Sequence, residues 1–327
     1  MAIAGNVYLI TGGASLIGSH LTDALLAAGA REVRLLDNFA LGTPETIAHL
    51  LADDRVKLLR GDVLRLTELL EAAQGVDGIF ALAGFLTIPM LANPSLGAQV
   101  NTVGLLNTLE AARFAKARRV VFSSSVAAYG NAEAEVLAED APTVTASLSP
   151  VSAVYGVSKL LGESLCRLYA QKFGLEFNAL RFASVYGERQ HARAVNANFI
   201  AETCERVRQG QPPVIIGDGR EVHDYIHVTD VAAGCLAAMA SARHGEVMNL
   251  ATGVDSTLTE VVQAVLRVCR SNLQPEYRAD TRAVRSAGGT HLGFSRAKAE
   301  ATIGWVPQVG LEDGIRRYIA WREAQSS

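Results

Sequence analysis

The sequence predicts an α/β fold in which helices cover both faces of a parallel sheet, the doubly wound arrangement. Three observations indicate it. Short apolar runs alternate with helical segments, a glycine-rich turn joins the first run to the first helix, and polar residues follow several runs. Strands that alternate with helices at this spacing pair in parallel. Ligands of such sheets bind outside the carboxyl ends of the strands, so function is expected there.

The composition indicates a globular protein. A chain of 327 residues can bury the core of one large domain or of two. Its 49% hydrophobic and 19% charged residues exclude the disordered and fibrous classes. A net charge of −3 gives no basic surface, so we expect a small-molecule substrate and neither a nucleic acid nor a membrane as partner.

The cysteines bear on the compartment. The four of them fall singly within apolar helical patterns and form no CxxC pair, which favours buried free thiols over a disulfide or zinc framework. The first residues carry no basic signal region, and no apolar run reaches the ~20 residues that a membrane span needs. We therefore expect a cytoplasmic protein.

The first predicted strand and helix indicate a dinucleotide site. An apolar run at residues 6–10 leads into the glycine-rich turn 11–18, and an amphipathic segment follows at 19–28. Such a turn lets the backbone approach a pyrophosphate, which then lies on the positive N-terminus of the helix. The turn residues expected to bind the cofactor are Gly12, Ser15, Leu16, Ile17 and Gly18.

Asp37 indicates which dinucleotide binds. It ends the second predicted strand, nineteen residues after Gly18. A carboxylate there suits the hydroxyls of an adenosine ribose and repels a 2′-phosphate, so NAD is favoured over NADP. The alternative is a plain βαβ unit with turn glycines. In a Rossmann-type domain with its cofactor contacts at strand ends, Asp62 and Ala83 are further expected contacts.

The candidate chemistry lies at Tyr155 and Lys159. Four residues apart on a predicted helix, they share one face. An ammonium within a few ångströms lowers the pKa of a phenol, which can then exchange a proton with a substrate hydroxyl. The pair alone also arises by chance. Ser125, at the end of a predicted strand, supplies the third polar group that the pair needs.

In their order along the chain, these motifs resemble the extended short-chain dehydrogenases/reductases, in the NAD-dependent epimerase/dehydratase family. The resemblance runs from about residue 6 to 322, through segments 11–18, 36–38, 61–63, 82–83, 101–104, 123–130, 155–159, 180–187, 217–219, 224–230 and 303–307. It implies that Tyr155 is the general acid/base, that Lys159 holds the nicotinamide ribose, and that Ser125 orients the substrate oxygen. It adds Asn38, Val63, Leu82, Gly84, Asn101, Ser123 and Ala183 to the cofactor contacts. Ser15 departs from it, standing at the middle glycine of the fingerprint.

The resemblance also narrows the reaction. Family dehydratases carry an Asp-Glu pair just after the catalytic Ser or Thr, and the decarboxylases carry a Glu two residues after it. Here these positions are Val126 and Ala127, which move no protons. Dehydration and decarboxylation are therefore disfavoured. Epimerisation by oxidation and re-reduction, and net dehydrogenation, both stay open.

The substrate contacts depart further from the family pattern. Ser184 and His223 stand where nucleotide-sugar members place Asn and Arg, and the segment around Arg282 is altered. Because a guanidinium binds phosphate bidentately, these changes leave a nucleotide sugar and a non-nucleotide alcohol both open. Thr87 lies in the apolar run 85–91, which forms either a pocket wall or part of the core. We expect no metal site, because the segment with both His223 and His227 is extended.

Together these observations predict an NAD-binding domain at residues 1–180, with about 224–250 packing back onto it, and a substrate-binding lobe at 181–327. The predicted function is NAD-dependent epimerisation of a sugar or nucleotide sugar. A net dehydrogenase is the alternative, and a non-catalytic NAD-binding protein would be expected to lack Tyr155 or Lys159. The resemblance further implies a homodimer formed through helices at 96–115 and 155–173.

Overall fold

The computed structural model describes residues 2–132, 134–146, 148–190, 198–280 and 293–325. Its strands are β1 (Val7–Thr11), β2 (Glu32–Asp37), β3 (Val56–Arg60), β4 (Gly78–Ala81), β5 (Arg119–Ser125), β6 (Glu176–Phe182), β7 (Ser184–Tyr186), β8 (Val214–Ile216), β9 (Val222–His227), β10 (Glu246–Leu250), β11 (Asp255–Thr257) and β12 (Glu276–Arg278). Its α-helices are α1 (Leu16–Ala27), α2 (Pro44–Ile47), α3 (Leu66–Ala72), α4 (Thr87–Ala92), α5 (Pro94–Gln99), α6 (Leu105–Ala115), α7 (Pro150–Phe173), α8 (Asn198–Arg208), α9 (Val228–Ala240), α10 (Leu258–Val268), α11 (Ala297–Ile303) and α12 (Leu311–Ala324). A π-helical turn at Val100–Gly104 precedes α6, and a 3-10 helix at Val126–Tyr129 follows β5. In this described part of the chain, no helix is both long and apolar enough to cross a membrane.

The main sheet has the predicted doubly wound architecture. Its seven strands follow the order β10-β6-β5-β4-β1-β2-β3. All of its neighbouring strands pair in parallel. The chain reverses its direction of travel across the sheet between β1 and β4. In open parallel sheets the ligand crevice lies at this switch point, outside the carboxyl ends of the strands.

The alternation of side chains along each strand divides the core into two layers. Tyr8 and Ile10 of β1 belong to one apolar cluster, and Val7 and Leu9 belong to the other. This division follows because successive strand residues point to opposite faces of the sheet. Helices α1 and α9 pack on the first face, while α6 and α7 cover the second. The buried sheet is therefore a fixed platform for residues at its carboxyl edge.

The second half of the chain builds a smaller layered region. Strands β11, β9 and β7 form one short sheet, and β12 pairs with β8 in another. Helices α8, α10 and α12 enclose a third apolar cluster, which includes Cys204, Val265 and Ile315. Helix α10 begins with a capping box between Thr257 and Glu260. In the sequence these elements follow the residues at the carboxyl edge of the main sheet. They form the part of the chain that is predicted to bind the substrate.

A polar contact joins the segment after β7 to α1. Glu188 Oε2 lies 3.1 Å from His227 Nε2 and 3.8 Å from His20 Nε2. Arg189 Nη2 donates to Asp23 Oδ2 at 2.7 Å. Burial alone would raise the pKa of Glu188, but the two nearby histidines bring that pKa below the usual value. The charged carboxylate thus ties the start of the second half of the chain to the cofactor-side helix.

Two predicted segments differ from the structure. The single helix expected at 96–115 is α5, the π-helical turn and α6 in succession. Ahead of it, the apolar run forms α4, which ends at Asn93, and Pro94 starts the next helix. Leu86, Ile88 and Leu91 are between 41% and 44% exposed, so the interpretation that they pack the core is wrong. A short helix has few positions that face the core, so an apolar composition does not by itself imply burial there.

Candidate active site

The turn after β1 is shaped by two close backbone approaches. Gly12 has a φ of +71°, and a Cβ there would lie 3.0 Å from the backbone of Ala83. Ser15 has a φ of −91°, so it replaces a glycine without backbone strain. Its hydroxyl caps α1 by accepting from Gly18 N at 3.1 Å. The remaining N–H groups of the first helical turn are the ordinary donors for an anion.

Asp37 lies beside this turn at the carboxyl end of β2. Its Oδ2 accepts from Ala14 N at 2.9 Å and its Oδ1 from Phe39 N at 2.8 Å. Burial raises the pKa of the carboxyl, and the two backbone N–H groups oppose that shift. Among the described ion pairs none involves Asp37, so its carboxylate has lone pairs left for a neutral donor such as a sugar hydroxyl.

These residues fit an adenine dinucleotide. A capped helix N-terminus offers donors to a pyrophosphate, and an unpaired carboxylate one strand away offers acceptors to a ribose. Asn38 Nδ2 donates to Asp62 Oδ2 at 3.3 Å, so the ends of β2 and β3 also meet. The other predicted contacts stand at the same edge of the sheet, namely Val63, Leu82, Ala83, Gly84, Ser123 and Ala183.

Asn101 links this edge to α7. Its Oδ1 accepts from Phe85 N at 2.7 Å, and its Nδ2 donates to Phe85 O at 3.0 Å and to Ser158 Oγ at 3.1 Å. It lies in the π-helical turn, a local widening that often accompanies functional sites. The sequence predicts Asn101 as a cofactor contact. The structure adds that Asn101 holds the chain after β4 against the helix that carries Tyr155.

Ser125, Tyr155 and Lys159 come together at the carboxyl end of β5. Lys159 Nζ donates to Ser123 O at 2.8 Å and lies 5.7 Å from the centre of the Tyr155 ring. Ser125 Oγ accepts from Ala127 N at 3.2 Å, and the Ser125 side chain lies near enough to Tyr155 to lower the pKa of the phenol. A Cβ at Gly156 would lie 2.5 Å from Ala127 O, so a glycine is needed where α7 approaches the 3-10 helix. The arrangement holds a phenol, a hydroxyl and an ammonium around one point.

The titration behaviour of the protein alone differs from the sequence prediction. Burial raises the pKa of Tyr155, and the nearby Ser125 side chain opposes that shift. Burial lowers the pKa of Lys159 from 10.5 to about 8. The prediction that Lys159 brings the tyrosine below its usual pKa therefore does not hold for the protein alone. Desolvation is the largest influence on the phenol, and the ammonium of Lys159 is directed to the carbonyl of Ser123.

The predicted substrate residues occupy different settings. Ser184 begins β7 and pairs with Tyr225 of β9. His223 lies on the same strand, two residues before Tyr225, so Ser184 and His223 belong to neighbouring strands of the short sheet. His223 is buried, and its Nε2 lies 2.8 Å from Glu221 Oε1. Thr87 is the first residue of α4, which follows β4 of the main sheet. Arg282 lies outside the described residues. No group of three or more candidate metal-binding side chains occurs in the described segments.

Sequence reasoning missed one buried group at the site. Glu163 stands one helical turn after Lys159 and is 1% exposed. It contacts Ser124, which directly precedes Ser125, and Arg181 of β6. The available signal was an acid on the buried stripe of α7 at the same four-residue spacing. Its partners could not be read from that spacing, because they come from two strands.

Comparison with known proteins identifies the family. Residues 8–251 match the NAD dependent epimerase/dehydratase family. The chain belongs to this family. A UDP-glucose 4-epimerase of Mycolicibacterium smegmatis is 32% identical over 315 residues, which cover 95% of this chain and 96% of that protein. A UDP-glucuronic acid decarboxylase 1 of Danio rerio is 31% identical over 322 residues, covering 96% of this chain and 72% of that protein.

Solved structures agree with this membership. The UDP-glucose 4-epimerase of Thermus thermophilus, crystallised with NAD, has a TM-score of 0.84 and 31% identity, over 97% of this chain and 99% of that chain. The chain is therefore an enzyme of the epimerase/dehydratase family, and its cofactor is NAD. An epimerase and a decarboxylase are about equally similar to it in sequence, so overall identity does not distinguish the two reactions.

Proposed function

We propose that the protein is an NAD-dependent epimerase acting on a nucleotide sugar, with Tyr155 as the acid/base, Ser125 as the substrate-orienting hydroxyl and Lys159 as the ribose-binding ammonium. The observation that carries the proposal is the grouping of these three side chains at the edge of the sheet that also holds the dinucleotide turn and Asp37. The names of the UDP-glucose 4-epimerase relatives support a nucleotide-sugar substrate.

Each residue has a defined part in this reaction. Bound NAD supplies the hydride acceptor and donor at the carbinol carbon. Tyr155 Oη takes the proton of the substrate hydroxyl as that carbon becomes a ketone, and returns it when the ketone is reduced on the opposite face. Ser125 Oγ holds the reacting oxygen within reach of the phenol. Lys159 is charged below a pKa of about 8, and in this proposal its ammonium would hold the ribose of the bound cofactor.

The residues after Ser125 favour epimerisation over elimination. Val126 and Ala127 begin the 3-10 helix, and neither side chain titrates. Elimination of water needs a second acid and base near the sugar, and protonation of the intermediate that remains after loss of CO₂ needs one as well. With one proton-transferring residue in the predicted group, reversal of the oxidation is the step that the site can complete.

A specific observation favours a second candidate, net dehydrogenation of a non-nucleotide alcohol. At His223 a fixed guanidinium is replaced by an imidazole that pairs with Glu221 at 2.8 Å. Ser184 likewise offers one hydroxyl where an amide would offer more donors. A diphosphate is held most strongly by charged, bidentate donors, and these two positions supply none.

One experiment separates the two candidates. The purified enzyme is incubated with UDP-glucose, dTDP-glucose and simple polyols, and products are followed by NMR stereochemistry and NADH absorbance. Epimerisation predicts a changed sugar configuration with no net NADH. Stoichiometric NADH formed from a polyol, without any epimer from the nucleotide sugars, would instead establish the dehydrogenase.

We further propose the division into an NAD-binding part at residues 1–180 and a substrate lobe at 181–327, in a homodimer within the cytoplasm. Exposed apolar side chains on α6 and α7 support the dimer, among them Phe114, Val157, Leu161 and Leu168. The four cysteines carry no disulfide, in keeping with a reducing compartment. Sedimentation equilibrium tests the dimer, and a monomer at micromolar concentration would contradict it.

Asp37→Asn is expected to weaken NAD binding about tenfold and to reduce the preference for NAD over NADP. The substitution removes the negative charge that repels a 2′-phosphate and turns one acceptor into a donor facing a backbone N–H. Calorimetric titration with both dinucleotides measures the change. Asp54→Asn, on the exposed surface after α2, is the control and should leave both affinities unchanged. Unaltered discrimination in Asp37→Asn would remove the assigned role.

A further inference from the structure

A buried ion pair lies next to the candidate catalytic residues. The guanidinium of Arg181 on β6 donates from Nε and Nη2 to the two carboxylate oxygens of Glu163 on α7, at 2.8 and 2.9 Å. Arg181 is 5% exposed and Glu163 is 1% exposed. A bidentate pair of this kind fixes the relative orientation of its partners as well as their distance. It therefore locks α7 to β6 close to the carboxyl edge.

The same ion pair contacts the chain on both sides of Ser125. Ser124 and Arg181 are direct partners across β5 and β6, and Ser124 Oγ donates to Glu163 Oε1 at 2.7 Å. The Arg181 guanidinium also lies 4.6 Å from the centre of the Tyr129 ring, at the end of the 3-10 helix that follows Ser125. Ser124 and Tyr129, on either side of Ser125 in the sequence, are thus both in contact with the Glu163–Arg181 pair.

Stability alone does not account for this arrangement. The cost of taking two charges out of water largely offsets their attraction, so a buried pair adds little to folding free energy compared with apolar residues of similar size. Catalysis is more sensitive, because a misplacement of about 1 Å can cost about a hundredfold in rate. The Ser125 hydroxyl lies near enough to Tyr155 to lower the pKa of that phenol, and in the proposed reaction its placement sets the geometry of the proton transfer.

We propose that Glu163 and Arg181 are positioning residues, whose ion pair holds Ser124 and thereby fixes the Ser125 hydroxyl against the face of α7 that carries Tyr155. This inference rests on the acid/base function proposed above. Neither residue of the pair contacts the reacting atoms. They act through the end of β5, and the expected consequence of loosening them is a change in turnover and in Tyr155 titration.

The other end of the same two strands carries a matched control. Arg119 and Glu176 are partners at the first rung of β5 and β6, and Arg119 Nη2 donates to Glu176 Oε2 at 2.7 Å. Arg119 is fully buried. It lies six residues before Ser125 along the strand, or about 20 Å away. A substitution there disturbs the ion pair of a buried arginine with a partly exposed glutamate, at a distance from the site.

The test compares Arg181→Lys with Arg119→Lys, which keep the positive charge and lose the two N–H donors that each guanidinium directs to its glutamate. Arg181→Lys is expected to lower kcat by about tenfold to a hundredfold, with KM changed by less than about threefold. Ser124→Ala keeps both charges and is expected to lower kcat in the same direction. The Tyr155 titration is followed by NMR of ¹³C-labelled tyrosine, with its signal assigned from Tyr155→Phe. The pKa of Tyr155 should be higher in Arg181→Lys and in Ser124→Ala than in the wild-type enzyme. Arg119→Lys should lower the urea midpoint while leaving kcat and this titration unchanged.

The outcomes divide cleanly. Equal losses of kcat in the two lysine variants, or wild-type kcat in Arg181→Lys, would overturn the positioning role. The NMR titration does not depend on turnover. If the wild-type enzyme epimerises none of the sugars tested, the proposed function fails on its own, and an unchanged Tyr155 titration in Ser124→Ala and Arg181→Lys separately refutes the inference.

Discussion

Tyr155→Phe is expected to lower kcat by at least about a thousandfold and to leave NAD binding within about twofold. The phenol oxygen is the group placed to exchange the substrate proton, and losing a general acid/base costs about a hundredfold to ten-thousandfold. The ring itself remains, so the packing of α7 on the sheet is kept. Steady-state kinetics and calorimetric titration with NAD measure the two quantities.

Tyr169→Phe is the matched control for this substitution. It lies on the same helix, is also buried, and donates its hydroxyl to Glu110. Its loss should affect stability and leave kcat unchanged, because Glu110 belongs to α6 and not to the site. Turnover retained in Tyr155→Phe would eliminate the proposed mechanism and leave the acid/base role to another residue.

The fold and the cofactor edge could be predicted from sequence because they depend on local signals. A glycine-rich turn between strand and helix, an acidic residue after the second strand, and the alternation of apolar runs each arise within a few residues. These signals located Gly12, Asp37 and Ser125 at strand ends. The structure places all three at the carboxyl edge of the sheet.

The remainder depended on contacts between distant segments. Glu163, Ser124 and Arg181 meet because α7 lies over one particular rung of β5 and β6, and no spacing along the chain encodes that register. The exposure of Leu86 and Ile88 follows from how α4 packs on its neighbours. The raised pKa of Tyr155 reflects burial, which the four-residue spacing to Lys159 does not report.

The positions of Ser184 and His223 show the same division in functional terms. Sequence indicated that they depart from a diphosphate-binding pattern, and the structure shows that His223 pairs with Glu221. The partner of His223 is thus the carboxylate of Glu221, whereas a phosphate group at this position would need a cation. In the function proposed above, substrate identity would depend on residues of the short sheet β11-β9-β7, while the redox chemistry would depend on residues at the edge of the main sheet.

Lys159→Met is expected to abolish turnover and at the same time to stabilise the fold at neutral pH. Burial lowers the pKa of Lys159 from 10.5 to about 8, a difference worth on the order of 3 kcal/mol. Below pH 8 the folded state therefore carries a buried ammonium bonded to a carbonyl, without a carboxylate partner among the described ion pairs. Methionine fills similar space with no charge to desolvate.

The pH dependence gives the sharper test. Between pH 8 and 10.5 the unfolded chain holds a proton on residue 159 that the folded chain has released, so the stability of the wild type should rise with pH through this window. Urea unfolding across the window should show that rise in the wild type and in Lys172→Met, which changes an exposed lysine of the same helix. Lys159→Met should lack it. If its stability follows the wild-type curve, the ammonium is not buried at a cost, and the site would hold its charge by an interaction other than the carbonyl of Ser123.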